Sequence, residues 1–423
     1  MNTHKTVISI LGSAGGAAKS ILSILNKSII DQNDPIHHLI AHSTLHLIDH
    51  QQKKQEYYDQ LFPFLKDRLI LHQLELNETE PFIRHLTKTK TEVVIDLSWA
   101  DTVKMLQCCN KLNIKYVNSA LENTFIDENE TLYAGFSLIE RIDYFEQFKH
   151  TFNNTTAIIG SGMNPGVVQW MALELLKKEP QLPLGCYIVE NDTSFFKEQK
   201  IAKKDTIYTS WSPECFLDEA IDNYPMLMKH HTPLFLYEDV YSIEFNVSLG
   251  DKQFNGSLMP HEEVYSLCRL YNMEGGFLYK VNKHTTELIR SNLDDTDRLW
   301  DYDMQILDPL ETPLEGEDLV GVLLVYPDHE RYMYNVLRND VIFAQYQTNA
   351  TYFQVACGIY ASLAVLLLDQ IPKGAYYVDE LLLNTNNRFK RYLTHYMTDF
   401  ITGENDQSDG TLLQRMRKVP PFQ

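Results

Sequence analysis

The segment Thr6-Val7-Ile8-Ser9-Ile10-Leu11 runs directly into the turn Gly12-Ser13-Ala14-Gly15-Gly16-Ala17-Ala18-Lys19. Its first six residues favour a β-strand, and the apolar residues after the turn recur at helical spacing. A strand, a glycine turn and a helix in this order form the unit in which a dinucleotide pyrophosphate rests on a helix N-terminus. The turn departs from the standard G-x-G-x-x-G pattern at two alanines, Ala14 and Ala17. We predict that four residues of the turn contact NAD: Gly12, Gly15, Gly16 and Ala17.

Two later strand ends extend this predicted cofactor site. His46-Leu47-Ile48-Asp49 closes a second strand, and Asp49 is placed to accept hydrogen bonds from the adenosine ribose. An acid at this position favours NAD over NADP, whereas the nearby Lys53 and Lys54 leave that choice open. Ser98 follows another strand, and we predict that it lies at the edge of the sheet where ligands bind.

The order of patterns along the chain indicates two kinds of domain. Strand-like and helix-like segments alternate through about residue 150, which predicts an α/β fold with a doubly wound parallel sheet of the Rossmann type. After residue 180, strands of alternating polarity indicate an α+β domain with an open sheet. The segment 349–369 is apolar enough to be a buried core helix, and residues 403–423 are polar and end in prolines, which predicts a frayed tail.

Composition excludes several classes of partner. The chain carries 37 Lys and Arg against 57 Asp and Glu, a formal charge of −20 at pH 7. Such a charge repels nucleic acid and anionic membranes and attracts cations. Six cysteines occur without a Cys-x-x-Cys pair or histidines at zinc-finger spacing, so we expect no metal. With no visible secretory signal and no apolar run of roughly 20 residues, we expect a cytoplasmic protein with reduced thiols.

Thr209-Ser210-Trp211-Ser212-Pro213-Glu214-Cys215-Phe216-Leu217-Asp218-Glu219 has the pattern of a helix entrance. Ser212 is a favourable N-cap, and Trp211 adds an aromatic face beside three acids. Those acids are Glu214, Asp218 and Glu219. An aromatic face with carboxylates suits a primary ammonium group. The alternative is structural, because Trp211 and Phe216 would also form a hydrophobic staple beside a solvated acidic face.

A second glycine loop follows the strand near residue 158. Met163-Asn164-Pro165-Gly166-Val167-Val168 predicts a helix with Asn164 as N-cap and Pro165 in its first turn. In Rossmann-like enzymes such a loop often faces the nicotinamide side of the cofactor. We therefore add Asn164 and Pro165 to the predicted cofactor contacts.

Further motifs stand in order along the chain. Besides the two loops and the Trp211 segment, they are Glu190-Asn191-Asp192-Thr193, Gly256-Ser257-Leu258-Met259-Pro260-His261-Glu262-Glu263 and Asn349-Ala350-Thr351. Taken together, they make the chain resemble the homospermidine synthases, a branch of the saccharopine-dehydrogenase-like oxidoreductases. The matching motifs spread over residues 6 to 375, nearly the whole chain.

The resemblance implies an architecture and a reaction. It implies a Rossmann NAD-binding domain (1–160), an α+β substrate and dimerisation domain with a mixed sheet (161–345), C-terminal helices that return to the Rossmann domain (346–402) and a polar tail (403–423). It also implies a homodimer. The implied reaction converts two putrescine into sym-homospermidine and ammonia through an imine, with NAD as a retained hydride carrier.

The resemblance also implies roles for individual residues. Trp211 would stack on the substrate cation, and Glu219 would pair with an ammonium group, with Glu214 and Glu122 also facing the diamine. Glu190 and Asn164 would flank the reacting nitrogen and the nicotinamide. His261 is the candidate for proton transfer, because an unperturbed histidine pKa of about 6.5 lies near working pH.

Two other functions stay open. A saccharopine- or carboxyspermidine-type dehydrogenase would reduce an imine with NAD(P)H, and its carboxylate substrates would call for arginine in the pocket. Arg269 is the nearest in sequence to the matched motifs. A non-catalytic polyamine or nucleotide sensor would keep the pocket without the chemistry.

Overall fold

The computed structural model describes residues 5–419, which form two compact units. Unit 1 contains residues up to 129, 140–167 and 352–398. Unit 2 contains 130–139, 168–351 and the residues from 399 onward.

Twenty-one strands and seventeen α-helices occur within the described residues. The strands are β1 (Val7–Leu11), β2 (Thr44–Asp49), β3 (Leu69–Gln73), β4 (Val93–Asp96), β5 (Lys115–Asn118), β6 (Thr156–Ile159), β7 (Gly185–Asp192), β8 (Phe195–Phe196), β9 (Thr206–Thr209), β10 (Met226–Lys229), β11 (Thr232–Phe235), β12 (Ile243–Leu249), β13 (Lys252–Met259), β14 (Glu274–Lys280), β15 (Asp303–Ile306), β16 (Leu314–Glu315), β17 (Glu317–Val325), β18 (Glu330–Arg338), β19 (Gly374–Tyr377), β20 (Ile401–Asn405) and β21 (Met416–Lys418). The helices are α1 (Gly16–Ser28), α2 (His37–Ala41), α3 (Gln55–Leu61), α4 (Thr79–Thr89), α5 (Thr102–Leu112), α6 (Thr124–Asp127), α7 (Glu130–Tyr133), α8 (Ser137–Lys149), α9 (Val167–Leu176), α10 (Pro213–Leu217), α11 (Glu262–Leu270), α12 (Lys283–Arg290), α13 (Asn339–Tyr346), α14 (Ala350–Leu368), α15 (Val378–Asn384), α16 (Phe389–Tyr396) and α17 (Leu412–Arg415).

Unit 1 is built on a seven-stranded parallel sheet, in the order β19-β6-β5-β4-β1-β2-β3. Ile8, Ile10 and Leu47 are completely buried, which fits strands with helices on both faces of a sheet. The chain runs outward from β1 to β3 and then crosses back to β4, so β1 and β4 flank the switch point where ligands of such sheets bind. The predicted doubly wound parallel sheet is confirmed.

The apolar helix α14 is long enough to cross a membrane by length and composition, but 78% of its apolar window is buried inside the protein. Its packing requires small residues. A Cβ on Gly358 would lie 2.0 Å from the carbonyl oxygen of Gly162, so only glycine permits this approach. Ser161 Oγ also donates to the carbonyl oxygen of Gly358 at 3.0 Å. The helix therefore supports the loop that follows β6, as expected of a core helix.

Unit 2 is built on a ten-stranded mixed sheet. Its main path is β20-β18-β17-β7-β14-β13-β12-β21, and β10 joins β14 and carries β11. The β7–β14 pair is parallel, whereas the other pairs are antiparallel. The alternating pattern of β12 buries Ile243, Phe245, Val247 and Leu249 in one apolar cluster. The predicted mixed-sheet domain is confirmed.

The expectation of a frayed C-terminal tail is wrong for residues 403–418. β20 pairs with β18, and β21 pairs with β12. Between them Leu412 is buried in the apolar cluster, and the buried guanidinium of Arg415 is ion-paired with Glu330. The polar composition of this segment does not reveal its two tertiary contacts. The Leu412 side chain fills part of the core, and the charge of Arg415 is compensated by Glu330. The part of the predicted tail at residues 420–423 lies outside the described residues.

Candidate functional site

The glycine turn of unit 1 connects β1 to α1. Gly12 has a φ of +68°, and a Cβ there would lie 2.2 Å from the carbonyl oxygen of Leu97. Glycine therefore lets the end of β1 approach the residues after β4. Gly15 is the N-cap of α1 and offers no side-chain cap, and a Cβ on Gly16 would lie 2.2 Å from the ring of Tyr352. The first N–H groups of α1, including that of Ala17, are thus suited to an anion.

Asp49 ends β2 and is 7% exposed. Its Oδ2 accepts a hydrogen bond from the N–H of Ala14 at 2.9 Å, and its Oδ1 accepts one from the N–H of Gln51 at 2.9 Å. Each carboxylate oxygen can accept a second hydrogen bond. Asp49 can therefore hold the glycine turn and still accept a bond from a ribose hydroxyl, while its charge disfavours a phosphate at that place.

Ser98 and Glu122 follow neighbouring strands of the same sheet. Ser98 Oγ donates to Asp96 at 2.7 Å, and the N–H of Glu122 donates to Thr102 Oγ1 at 3.0 Å. These bonds fix the loops after β4 and β5. Ser98 thus lies at the carboxyl edge of the sheet, as predicted, with its hydroxyl already engaged.

The predicted roles of Asn164 as N-cap and of Pro165 in the first turn of the helix are wrong. α9 begins at Val167, and the Asn164–Pro165 peptide bond is cis. The preceding loop closes on itself, because the N–H of Gly162 donates to the Pro165 carbonyl at 2.7 Å and Val167 donates back to Gly162 at 3.1 Å. Asn164 and Pro165 therefore belong to a tight loop of unit 1 and not to the first turn of α9.

In unit 2, the Trp211 segment forms the N-cap and the hydrophobic staple that its sequence suggests. Ser212 Oγ accepts a hydrogen bond from the N–H of Cys215 at 3.2 Å, and α10 starts one residue after Ser212. The rings of Trp211 and Phe216 pack edge to face at 6.0 Å, which is the predicted staple. The Nε1–H of Trp211 donates to the hydroxyl of Tyr279 at 3.2 Å. These contacts fix the orientation of an indole that stays partly exposed.

Three buried acids lie side by side on the sheet of unit 2. Glu190 and Asp192 are two residues apart in β7, so their side chains project from the same face. Asp318 of β17 pairs with Asp192, and Tyr279 of β14 pairs with Glu190. All four side chains are at most 4% exposed. We call this set the acidic face: Glu190, Asp192, Tyr279 and Asp318.

Two of these acids are linked through hydroxyls. Ser210 Oγ donates to Asp192 at 2.5 Å, Thr351 Oγ1 lies 2.8 Å from Ser210 Oγ, and Thr351 Oγ1 lies 2.6 Å from Asp318. Three hydrogen bonds need three protons, and the two hydroxyls supply only two. This count of protons favours a pair in which one of the two carboxyl groups is protonated.

The electrostatics of the acidic face agree with this count. Burial raises the pKa of Asp192. Burial, reinforced by the charges of Glu190 and Asp192, raises the pKa of Asp318 well above its usual range, although the hydrogen bond from Thr351 opposes the shift. The face therefore favours any bound group that supplies positive charge.

His261 and Glu219 lie near this face. Glu219 belongs to the π-helical turn Asp218–Asp222 after α10, and its Oε2 is 4.0 Å from His261 Nε2. His261 is the N-cap residue of α11, and its Nδ1 forms a short bond with the fully buried Glu263. The imidazole packs on the ring of Phe277 at 4.5 Å.

The expectation that His261 titrates near pH 6.5 is wrong. Burial by itself lowers the pKa of His261, but the charges of Glu263 and Glu219 outweigh it and raise the pKa to about 9. His261 is therefore a cation at neutral pH and can donate a proton there, whereas a role as general base would require more alkaline solution.

We expect this ion pair to make stability depend on pH. Because the folded-state pKa of His261 is raised from 6.5 to about 9, its contribution is complete below pH 6.5 and is lost as the pH rises through about 9. The melting temperature of His261→Gln should lie several degrees below that of the unmodified chain at pH 6, and the two should converge near pH 10. Differential scanning calorimetry over this range checks it, and a constant difference contradicts it.

The structure connects several predicted site residues within unit 2. Trp211 bonds to Tyr279, whose ring stacks on Phe277 at 5.7 Å, and Phe277 contacts His261. The connected surface thus contains four of them: Trp211, Glu190, Glu219 and His261. Glu214 is exposed on α10, where its Oε2 accepts a bond from Ser212 at 3.0 Å. Glu122 and Asn164 belong to unit 1.

Sequence reasoning missed Asp192, Asp318 and Tyr279. Asp192 stood in a quoted motif, and its spacing from Glu190 within an apolar strand was a usable signal that both acids share a face. No local sequence pattern indicates Asp318, because it is brought beside Asp192 by the register of β17 against β7.

No protein-family model and no curated protein sequence matches the chain. Among solved structures, apo saccharopine dehydrogenase (L-Glu forming) from Saccharomyces cerevisiae aligns over 94% of this chain and 100% of that chain, with a TM-score of 0.54 at 10% identity. Amine dehydrogenase from Mycobacterium smegmatis aligns over 89% of this chain and 96% of that chain, with a TM-score of 0.39 at 10% identity. The chain therefore has the fold seen in saccharopine dehydrogenase: a Rossmann-type parallel sheet and a second domain with a mixed sheet.

Proposed function

We propose that this protein is a nicotinamide-dependent oxidoreductase that acts on a primary amine, with unit 1 binding the cofactor and unit 2 binding the amine cation. The observation that carries the proposal is the buried acidic face beside Trp211, Glu219 and His261. Burial makes the negative charges of these carboxylates unfavourable, and a bound cation would compensate them. We expect the protein to be a homodimer in the cytoplasm.

The residues of unit 1 fit a dinucleotide. The turn at Gly12, Gly15 and Gly16 would receive the pyrophosphate at the open N-terminus of α1, beside Ala17 and Ser98. Asp49 would accept bonds from the ribose, and Asn164 with Pro165 would contact the nicotinamide half. When bound, the cofactor supplies reversible hydride acceptance at the substrate carbon.

The preference for NAD over NADP rests on Asp49, which gives a direct prediction. Asp49→Asn removes the charge that repels a 2′-phosphate and weakens the bond to the ribose. We expect NAD⁺ affinity to fall about 10- to 100-fold, since a charged hydrogen bond contributes about 1.5–3 kcal/mol, with NADP⁺ affinity unchanged or higher. Fluorescence titration with both cofactors measures this ratio. Asp59→Asn on α3 is the matched control, and an unchanged ratio in Asp49→Asn contradicts the assignment.

Within unit 2, each residue has a defined task in the proposal. Trp211 holds the substrate cation against its aromatic face, and Glu190 and Glu219 pair with ammonium groups. His261 carries a proton at neutral pH and can deliver it from Nε2 to a departing amine. The burial of Glu190, Asp192 and Asp318 excludes water, which protects an imine from hydrolysis.

The specific reaction we propose is the one implied by the resemblance to homospermidine synthases. Two putrescine molecules give sym-homospermidine and one ammonia, with no net oxidation. One diamine would be oxidised to an imine, and an amino group of the second diamine would add to the imine carbon and displace ammonia. Reduction of the new imine would return the hydride taken in the first step. Both substrates and the product are cations without carboxylates, in accord with the acidic face.

The test is an incubation of the chain with putrescine and a catalytic trace of NAD⁺. We expect homospermidine and ammonia in equal amounts, each far exceeding the NAD⁺ supplied, without accumulation of NADH. Omission of NAD⁺ is the control. Absence of both products excludes putrescine as the substrate.

The fold seen in saccharopine dehydrogenase favours a second candidate, a saccharopine- or carboxyspermidine-type dehydrogenase. The carboxylate substrates of such an enzyme need cationic side chains in the pocket. The nearest arginine in sequence, Arg269, lies in α11, seven residues beyond Glu262 at the start of that helix. Its guanidinium lies over the ring of Tyr265, 5.5 Å from the ring centre. Consumption of one NAD(P)H per product, with an oxo acid and an amine as substrates, would support this candidate over the first.

A further inference from the structure

Three histidines from three different elements of unit 1 converge beside the edge strand of its sheet. His46 lies on β2, His72 on the edge strand β3 and His85 on α4. One nitrogen from each ring can be chosen so that all three lie within 4.8 Å of one another. We propose that these three side chains form a binding site for a divalent transition metal of the Zn²⁺ class, separate from the cofactor and amine sites.

The backbone already places the rings in a ligating arrangement. His46 pairs with Ile70 and His72 pairs with Ile48, so the two histidines are offset by two residues and lie on the same face of neighbouring strands. His46 Nδ1 and His72 Nε2 are 2.8 Å apart. Nitrogens that share a tetrahedral zinc ion lie about 3.3 Å apart, as follows from bonds of 2.0–2.1 Å. Small rotations of the two rings therefore make room for the ion.

The third ring completes one side of the site. The centroid of His85 lies 4.6 Å from that of His72 and 5.4 Å from that of His46. Ser9 Oγ lies 3.4 Å from His85 Nε2 and 2.8 Å from Thr91 Oγ1. Three imidazoles leave the fourth zinc position to a water or hydroxyl, and the neighbouring hydroxyls can orient it.

The charges around the cluster do not themselves attract a cation. Lys5 acts on His46 and Lys88 acts on the other two rings, so their charges oppose any cation there. The site must gain its affinity from the ligand bonds.

No sequence motif indicates this site, because its ligands are 26 and 13 residues apart instead of at zinc-finger spacing. A bound ion would tie β2, β3 and α4 together. Gln52 Nε2 donates to the carbonyl oxygens of Leu47 and His72, at 3.0 and 3.2 Å, so the bound ion would also brace the segment after Asp49. We therefore assign the metal a structural role in unit 1.

The experiment uses the full chain without an affinity tag, stripped with EDTA and titrated with ZnSO₄ by isothermal calorimetry. We expect one Zn²⁺ per chain and a higher melting temperature after loading. His72→Gln and His85→Gln should each weaken binding more than about 100-fold, since loss of a residue that only orients a metal ligand already costs about 10–100-fold. His42→Gln, an exposed histidine after α2, should bind like the unmodified chain.

Substitution with Co²⁺ gives a readout that needs no variant. A three-histidine site with one further ligand gives the intense visible absorption of four-coordinate Co²⁺, whereas exposed histidines give the weak spectrum of a six-coordinate ion. The proposal is overturned if the unmodified chain takes up no Zn²⁺ or shows only the weak Co²⁺ spectrum. It is equally overturned if His72→Gln and His85→Gln bind like His42→Gln, which would leave the cluster as a hydrogen-bonded set of neutral histidines.

Discussion

Trp211→Ala is expected to abolish turnover of putrescine while the chain still folds. The indole is partly exposed, so its removal leaves the buried core of unit 2 in place. Its loss removes a cation–π contact, worth about 2 kcal/mol or more when desolvated. It also frees the reacting diamine to shift, and a misplacement of about 1 Å can cost 10²-fold. We expect kcat/KM to fall by at least about 100-fold, as measured by homospermidine formation.

Trp211→Phe is the matched control for this prediction. It keeps an aromatic face and the packing against Phe216 but loses the N–H that donates to Tyr279. We expect it to keep measurable turnover and to melt close to the unmodified chain. If Trp211→Ala remains active, the cation-holding role is wrong, and the residue serves only as the staple of α10.

Glu190→Gln is expected to lower activity and raise stability at the same time. Burial raises the pKa of Asp318 most and the charge of Glu190 raises it further, so the folded state contains an unfavourable interaction between these two carboxyl groups. Replacing it with an amide relieves that interaction and removes a partner for the ammonium group. Loss of one member of a buried pair costs about 3–5 kcal/mol, so kcat/KM should fall by about 10²- to 10⁴-fold.

The gain in stability has a defined pH dependence. Because the folded-state pKa of Asp318 is raised, the unmodified chain is destabilised as pH rises above the usual carboxyl range. The increase in melting temperature of Glu190→Gln should therefore be larger at pH 8 than at pH 5, at about 2–4 °C for each kcal/mol. A variant that is both less stable and less active would show that Glu190 is structural.

Glu274→Gln provides the comparison on the same sheet. Glu274 is also buried, but it bonds to Lys229 at 3.1 Å, to the Tyr187 hydroxyl at 2.8 Å and to the N–H of Leu412 at 2.9 Å. Its charge is compensated, so the amide should lower stability and leave turnover unchanged. Opposite effects of Glu190→Gln and Glu274→Gln on stability would distinguish Glu190, as an acid that binds substrate, from Glu274, as a structural acid.

Much of the fold followed from local sequence patterns. The strand and glycine turn at residues 6–19 indicated the parallel sheet, because the strand and the start of α1 are decided by nearby residues. Ser212 and Phe216 likewise formed the cap and staple that their positions indicate. Features of this kind need no knowledge of distant contacts.

Features that depend on distant partners were not predictable. The polar segment after residue 400 forms two strands because Arg415 meets Glu330 and Leu412 enters a core built by other strands. The pKa of His261 is set by Glu263 and Glu219 together with burial, and no isolated histidine value anticipates it. Sheet register likewise brings Asp318 to Asp192.

The most direct test of the central claim is a crystal structure of the chain with NAD⁺ and putrescine bound. We expect an ammonium group of the diamine to lie against the indole of Trp211 and within hydrogen-bonding distance of the carboxylates of Glu190 or Glu219. A diamine bound away from unit 2's acidic face, or a cofactor-loaded chain that leaves this face without the amine at saturating putrescine, would contradict it.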